Sequence, residues 1–234
     1  MKAIVPNYKG IAIRAAEGLH EDCFEIIKRY IPESARVLDI AAGEGAFSAR
    51  LVDAGYEVTA NDIDIASWRA SGINKLSVDL NKPLDTQLFH PLLDLVVAIE
   101  VIEHLQNPTK LLEDCQRLIK REGYILISTP NIMDLDSRFI FLRKGMFYHF
   151  TPQSYFATGH RTILPQWLLE LLFDEVGLDI VERRFGGTHP VNIRGWNIKS
   201  WVAYVIACTL RPLMTTPSKV ELDSNYLIYL LHNK

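Results

Sequence analysis

The chain has 234 residues, of which 48% are hydrophobic and 23% charged, an ordinary globular composition. Its formal net charge of −3 excludes the strongly basic surface of a general nucleic-acid binder. Three dispersed cysteines favour a reducing compartment such as the cytoplasm, and neither a signal peptide nor an apolar run of about 20 residues is evident. We expect one domain over residues 1–234, with insertions at about 132–164 and 186–224.

A helix and a buried strand come first. Glu17–Tyr30 carries an apolar stripe at helical spacing, and Val37–Ile40 is an apolar run typical of a buried strand. The small residues Ala42–Gly45 then lead into a helix that starts over Ala46–Leu51. A loop of small residues at a helix N-terminus lets a nucleotide approach unpaired N–H groups. An ordinary strand–turn–helix unit is the alternative.

Two acidic residues bear on which nucleotide suits this loop. Ala41, Gly43 and Ala46 give a degenerate match to the G-x-G-x-x-G dinucleotide pattern. However, the carboxylates of Asp39 and Glu44 would repel a pyrophosphate. They suit a ligand that carries a positive centre and an amino group. An NAD-dependent oxidoreductase is therefore a disfavoured alternative.

A second strand, Tyr56–Ala60, is followed by Asp62, which lies 19 residues beyond Gly43. In doubly wound folds an acidic residue about 20 residues after the glycines accepts hydrogen bonds from ribose hydroxyls. We therefore assign this role to Asp62. Asp64 is the near competitor, and it is equally suited to cap the next helix.

The central strands follow. Leu76–Leu80 is predicted as a third strand with Asp79 near its end, where a plain turn carboxylate is the alternative. Leu93–Ile99 has the apolar continuity of a central strand. A helix begins at Pro108 and is expected to end at Gly123, and Tyr124–Ser128 is the fifth strand.

The remaining elements complete an α/β pattern. A helix over Pro165–Val176 precedes a sixth strand, Leu178–Phe185, and Tyr226–Leu231 is the seventh. Alternating strands and helices predict a mostly parallel seven-stranded sheet with helices on both faces and an insertion between the last two strands. Ligands of such sheets bind at the carboxyl ends of the strands.

Glu100, Glu103 and His104 directly follow the central strand. A histidine at that position can remove a proton from an attacking hydroxyl. The same cluster can hold a divalent cation that lowers a hydroxyl pKa. As an alternative, Glu103 and His104 only cap and orient the turn.

Five motifs together resemble the ubiquinone-biosynthesis O-methyltransferase type of class I S-adenosylmethionine-dependent methyltransferases. The similarity covers roughly residues 17–185, and the first glycine of the donor motif is replaced by Ala41. The motifs are Val37–Gly45, Asp62, Asp79-Leu80, Glu100-x-x-Glu103-His104 and Leu126–Asn131.

The resemblance implies a Rossmann-like fold, S-adenosylmethionine as donor and S-adenosylhomocysteine as product. It implies that Asp79 meets the adenine amino group and that His104 is the base, with Glu103 beside it. A cation, if bound, would take ligands from Glu100, Glu103, His104 and His160, with His149 as a further candidate. The implied donor-binding residues are Asp39, Ala41, Gly43, Gly45, Phe47, Asp62, Ile63, Asp79, Leu80 and Glu100.

His104 favours an oxygen acceptor, and the Pro-Pro motif common in nitrogen methyltransferases is missing after the central strand. We expect the acceptor to be a small molecule, a lipid-linked molecule or a glycan. Metal-assisted 2′-O-methylation of RNA ends is an alternative, although nucleic acid is not the favoured partner. A non-catalytic relative that only binds the donor is a further alternative, against which His104 argues.

Two insertions are rich in apolar residues. Asp136–Phe156 carries many aromatic side chains, which suit an acceptor pocket or lid, or equally a satellite core under a long loop. Trp196–Met214 is apolar with flanking basic residues and too short to span a membrane. We expect it to cover the acceptor site, to pair with a second subunit in a homodimer, or to lie on a membrane surface.

Overall fold

A computed structural model of the protein describes residues 6–82, 84, 92–188 and 219–234, together with the single positions 198, 201, 202, 205, 206 and 209. The strands are β1 (Asn7–Tyr8), β2 (Ile11–Ala12), β3 (Arg36–Ile40), β4 (Glu57–Asp62), β5 (Asn74–Ser77), β6 (Leu93–Ile99), β7 (Ile119–Pro130), β8 (Leu178–Thr188) and β9 (Ser224–Asn233).

Seven of these strands form one sheet in the order β5-β4-β3-β6-β7-β9-β8, and β1 and β2 form a separate hairpin. The first five strands of that order are parallel, while β9 runs antiparallel to both β7 and β8. The carboxyl ends of β3, β4 and β6 therefore lie side by side at one edge, as predicted.

Helices cover both faces of the sheet. On one face, Leu112 of α3 (Pro108–Leu118) and Phe173 of α6 (Gln166–Val176) join Leu38 in an apolar cluster. On the other face, Ile27 of α1 (Leu19–Tyr30) joins Val37. Neighbouring residues of β3 thus face opposite layers, as a strand period of two requires. Among the described residues no helix is long and apolar enough to cross a bilayer. The helices are α1 (Leu19–Tyr30), α2 (Ala46–Asp53), α3 (Pro108–Leu118), α4 (Leu135–Lys144), α5 (Pro152–Thr158), α6 (Gln166–Val176) and α7 (Lys219–Asp223).

The predicted third strand, Leu76–Leu80, is wrong by two to three residues. The strand β5 covers Asn74–Ser77 because it pairs only with β4, and that pairing ends where Ser77 lies opposite Asp62. Asp79 instead belongs to a turn, in which its Oδ1 accepts a hydrogen bond from the Asn81 N–H at 3.0 Å. The sheet edge, not the local apolar pattern, sets the bounds of this strand.

The predicted helix end at Gly123 is also wrong, because α3 ends at Leu118 and β7 begins at the next residue. Pairing with β6 shifts register between Ile119 and Tyr124. A Cβ at Gly123 would lie 2.8 Å from the Ile119 Cβ. The glycine thus permits a close approach inside an irregular strand instead of ending a helix.

The first insertion contains α4 and α5. Its Phe139 is buried, but Phe141, Leu142 and Phe156 are 48%, 75% and 86% exposed. The satellite-core interpretation therefore holds for only part of the segment.

The second insertion begins later than predicted, because β8 continues to Thr188. Ile198, Val202, Val205 and Ile206 are helical and 51–83% exposed. Most of the predicted apolar segment and its basic residues lie outside the described residues, as does one of the three cysteines: Arg194, Trp196, Lys199, Tyr204, Leu210, Arg211, Leu213 and Met214, and Cys208.

Candidate active site

The loop between β3 and α2 adopts a left-handed backbone at three positions. The φ angles of Ala41, Gly43 and Gly45 are 52°, 59° and 91°. The Gly43 N–H donates a hydrogen bond to Asp62 Oδ2 at 2.8 Å, which ties the loop to the end of β4. Helix α2 then begins without a side-chain N-cap, so its N-terminal N–H groups point toward the loop.

Gly45 occupies a position that no larger residue fits. A Cβ there would lie 2.8 Å from the Ala70 Cβ and 2.9 Å from Trp68 Cη2. The Glu44 carbonyl also accepts hydrogen bonds from the N–H groups of Arg69 and Ala70. The loop is therefore packed directly against residues 68–70.

A cavity of about 60 Å³ opens beside this loop. Four of the predicted donor residues line it, namely Asp39, Ala41, Gly43 and Phe47. Asp39 is buried, and its Oδ2 accepts a hydrogen bond from Ser48 Oγ at 2.5 Å. Burial raises the pKa of Asp39 to about 7.

Two further residues of this cavity, Arg14 and His20, were missed by the sequence analysis. Arg14 forms a salt bridge with Glu44 at 2.8 Å, so the Glu44 charge has a partner within the protein. His20 packs edge-on against Phe47, and burial lowers its pKa to about 4. No local signal marks either residue, because they reach the loop from the N-terminal segment through the tertiary fold.

The other predicted donor residues are placed around this cavity or away from it. Asp62 accepts hydrogen bonds from Gly43 and Asp64 through its two oxygens, and each oxygen retains acceptor capacity. Ile63 is 68% exposed, whereas Leu80 is buried in the core. Asp79 lies 3.7 Å from the Lys82 ammonium in its turn, as the turn-carboxylate alternative expects.

The acidic residues after β6 are held in unlike environments. Glu100 has a left-handed φ of 53°, and its N–H donates to Ser128 Oγ at 3.0 Å. Glu103 is fully buried, and its Oε2 accepts a hydrogen bond from Thr129 Oγ1 at 3.1 Å. Burial raises the pKa of Glu100 to about 7, and burial together with the Glu100 charge raises the pKa of Glu103 well above its ordinary value.

His104 lies beside Glu103, with Nε2 3.9 Å from Glu103 Oε1 and a side chain that is 32% exposed. Burial, followed by the neighbouring His160, lowers the pKa of His104. The imidazole is therefore neutral at neutral pH and can accept a proton.

Glu103, His104 and His160 each have one potential metal-ligand atom within 4.8 Å of the other two. Among the described residues, Glu100 does not belong to this group. Glu103 Oε1 is buried and has no hydrogen-bond partner within the described part of the chain. His160 Nδ1 lies 3.1 Å from the His149 carbonyl, which can only accept, so Nδ1 donates and Nε2 keeps its lone pair. These three residues therefore fit a divalent cation.

A larger groove of about 850 Å³ adjoins the donor cavity and shares Arg14 and Ala15 with it. Glu100 and His149 also line this groove. The His149 and His160 ring centroids are 6.1 Å apart, so this wall of the groove lies near the group formed by Glu103, His104 and His160.

The loop between β3 and α2 lies at the carboxyl edge of a seven-stranded sheet with the strand order given above. This arrangement defines a nucleotide-binding class of α/β protein. The chain belongs to the methyltransferase domain family, whose model matches residues 15–183. The predicted resemblance is confirmed by curated ubiquinone biosynthesis O-methyltransferases. The protein from Alkalilimnicola ehrlichii is 26% identical over 106 residues, which cover 42% of this chain and 43% of that protein.

Solved structures confirm the Rossmann-like class I methyltransferase fold. An S-adenosylmethionine-dependent methyltransferase from Archaeoglobus fulgidus matches with a TM-score of 0.60 and 21% identity, over 91% of this chain and 93% of that one. The [4+2]-cyclase SpnF matches with a TM-score of 0.59 and 16% identity, over 99% of this chain and 88% of that one. The fold neighbours thus include a protein named as a cyclase, and the site must decide the reaction.

Proposed function

We propose that this chain transfers the methyl group of S-adenosylmethionine to a hydroxyl oxygen of a small-molecule, lipid-linked or glycan acceptor. The observation that carries the proposal is the position of His104. It is a neutral, partly exposed imidazole just beyond the carboxyl end of β6. Strand β6 pairs directly with β3, which ends at the donor loop.

The chain's own residues would chiefly bind and orient the reactants. The loop over Ala41–Gly45 would hold the donor, and Asp62 would accept hydrogen bonds from its ribose hydroxyls. As the acceptor oxygen attacks, its O–CH₃ bond forms and the donor S–CH₃ bond breaks. His104 takes the hydroxyl proton, and neutral S-adenosylhomocysteine leaves.

The curated relatives support an oxygen acceptor, because their names describe O-methylation in ubiquinone biosynthesis. The chain spans less than half the length of those relatives, so their substrate does not transfer directly. RNA methylation and NAD-dependent oxidation find no support in these relatives.

The proposal predicts a choice between matched acceptors. With methyl-labelled S-adenosylmethionine, catechol should become methylated, whereas 1,2-diaminobenzene and an RNA oligonucleotide should not. The two small acceptors share one ring and differ in the attacking atom. Labelled product from the diamine or the RNA alone would contradict an oxygen acceptor of small-molecule type.

A second candidate function is metal-assisted methyl transfer. In it, the group formed by Glu103, His104 and His160 would hold a divalent cation. Such a cation would supply charge that lowers the acceptor hydroxyl's pKa. Its supporting observation is the buried, unpartnered Glu103 Oε1.

For the base mechanism we expect turnover to survive EDTA, and we expect His160→Ala to reduce it less than tenfold. The measurement is the labelled catechol assay after chelation, with Mn²⁺ or Zn²⁺ added back. Loss in EDTA that Mn²⁺ restores and His160→Ala reproduces would assign the role to the cation.

We further propose that the protein is cytoplasmic, that it forms a homodimer and that it makes peripheral contact with a membrane. Phe141, Leu142 and Phe156 are exposed on the segment that carries Arg143 and Lys144, a combination that suits an anionic lipid surface. The exposed apolar positions at 198, 202, 205 and 206 suit the same surface or a second subunit.

A further inference from the structure

A separate cavity of about 190 Å³ lies near the other end of the sheet. Residues from α4, α6, β8 and α7 line it, together with Met133, which follows β7. Strand β8 is four strand positions away from β3. With neighbouring strands about 4.8 Å apart, this places β8 about 19 Å from the strand that carries the donor loop. The cavity is therefore distinct from the donor site.

One wall of the cavity is apolar and consists of Met133, Trp167, Phe185 and Leu222. Trp167 is 62% exposed, so the cavity is open to solvent on that side. An apolar cavity of about 150 Å³ is enough to take up a benzene ring. The volume here therefore suits one aromatic ring with a short side chain.

The other wall carries two carboxylates and one guanidinium, those of Glu170, Glu221 and Arg138. Glu170 Oε1 already accepts hydrogen bonds from Arg183 at 2.7 Å and from the Tyr229 hydroxyl at 3.1 Å. Gln166 Nε2 also donates to this oxygen at 3.1 Å, so the acceptor capacity of Oε1 is used within the protein.

Glu221 differs from Glu170. It is only 7% exposed, and its Oε2 has no hydrogen-bond partner among the described residues. Its carbonyl accepts from Asn131 Nδ2 at 2.7 Å, which fixes the backbone of α7 at the cavity. A buried carboxylate oxygen without a donor is costly, and a ligand that brings a donor removes this cost.

We propose that this cavity binds a small aromatic amine, with the ammonium group donating to Glu221 and the ring against Trp167 and Phe185. An ammonium supplies hydrogen-bond donors and a positive charge to the Glu221 carboxylate, whereas the other carboxylate of this wall, Glu170, is already paired with Arg183. The exposed edge at Trp167 gives the ligand a path of entry. The proposal does not depend on the methyl-transfer function.

The test uses the full chain with ¹³C-methyl methionine and 2-phenylethylamine as the probe. The amine should shift the Met133 methyl resonance saturably. Glu221→Gln, which keeps the shape of the side chain, should weaken that affinity by about tenfold or more. Glu175→Gln, an exposed position on the same helix as Glu170, should leave it unchanged. Trp167→Ala removes part of the apolar wall at an exposed position and should also weaken binding.

Two matched probes test the charge. Compared with the amine, 2-phenylethanol and phenylacetate should bind at least about tenfold more weakly. The proposal is overturned if the amine gives no saturable shift at Met133, if either probe binds as well as the amine, or if Glu221→Gln has no effect. Unchanged S-adenosylhomocysteine binding in Glu221→Gln would show that the variant is folded and that the donor site is independent.

Discussion

His104→Ala should lower methyl transfer to catechol by about 10²–10⁴-fold, the usual contribution of a positioned general base. S-adenosylhomocysteine binding should stay within about threefold of the wild type, because His104 is not among the residues that line the donor cavity. Single-turnover transfer and calorimetric titration measure the two quantities separately. His232→Ala is the matched control, because this partly exposed histidine of β9 lies 3.6 Å from Glu122 of β7, away from the site.

The pH profile sharpens this prediction. Burial lowers the pKa of His104 from its ordinary value of 6.5, so the neutral base persists to lower pH than for an exposed histidine. The acidic limb of the transfer rate should therefore lie below pH 6.5 and should disappear in His104→Ala. A profile that is identical in both proteins would remove His104 from proton transfer.

Glu103 acts on His104 through its own protonation. Because burial and the Glu100 charge raise the pKa of Glu103, this carboxyl holds its proton more readily than an exposed glutamate. A neutral Glu103 does not raise the pKa of the adjacent imidazole as an ionised one would. The buried carboxyl is thus compatible with a neutral, proton-accepting His104.

The sheet and the loop between β3 and α2 are predictable from the sequence because their signals are local. Apolar runs such as Val37–Ile40 and Leu93–Ile99 need only their own residues to indicate buried strands. The edge strand β5 covers Asn74–Ser77, whereas the sequence pattern predicts it at Leu76–Leu80. Its bounds depend on its pairing with β4, which ends where Ser77 lies opposite Asp62. An edge strand is fixed by its partner more than by its own pattern.

The site was only partly predictable for the same reason. Glu103 and His104 are adjacent in sequence, and His160, also predicted as a candidate ligand, lies beside them in the structure. Arg14 and His20 line the cavity beside the loop over Ala41–Gly45 although they belong to the N-terminal segment. No spacing in the sequence predicts that they lie next to this loop. The Glu221 cavity likewise joins four separate elements. Tertiary contacts between distant segments are what local patterns cannot supply.

Gly45→Ala should both destabilise the protein and weaken donor binding. Its φ of 91° lies where an L side chain costs about 1–2 kcal/mol. The new Cβ would also meet Ala70 and Trp68 at 2.8–2.9 Å, and such overpacking adds about 1–3 kcal/mol. Relief requires the loop to move away from residues 68–70, which displaces the N–H groups of Gly43 and α2. We therefore expect at least a tenfold loss of S-adenosylhomocysteine affinity.

Gly72→Ala separates the two causes, because Gly72 has a φ of 72° but no atom within 4 Å of a Cβ. It should show only the backbone cost of about 1–2 kcal/mol in urea unfolding, with unchanged S-adenosylhomocysteine affinity. Gly45→Ala should lower the free energy of unfolding further and lose affinity in calorimetric titration. If the two variants unfold alike and both bind S-adenosylhomocysteine normally, the loop over Ala41–Gly45 does not hold the donor. A loss of stability without a loss of affinity would make Gly45 a packing position only, and the donor would then be bound chiefly through residues outside this turn.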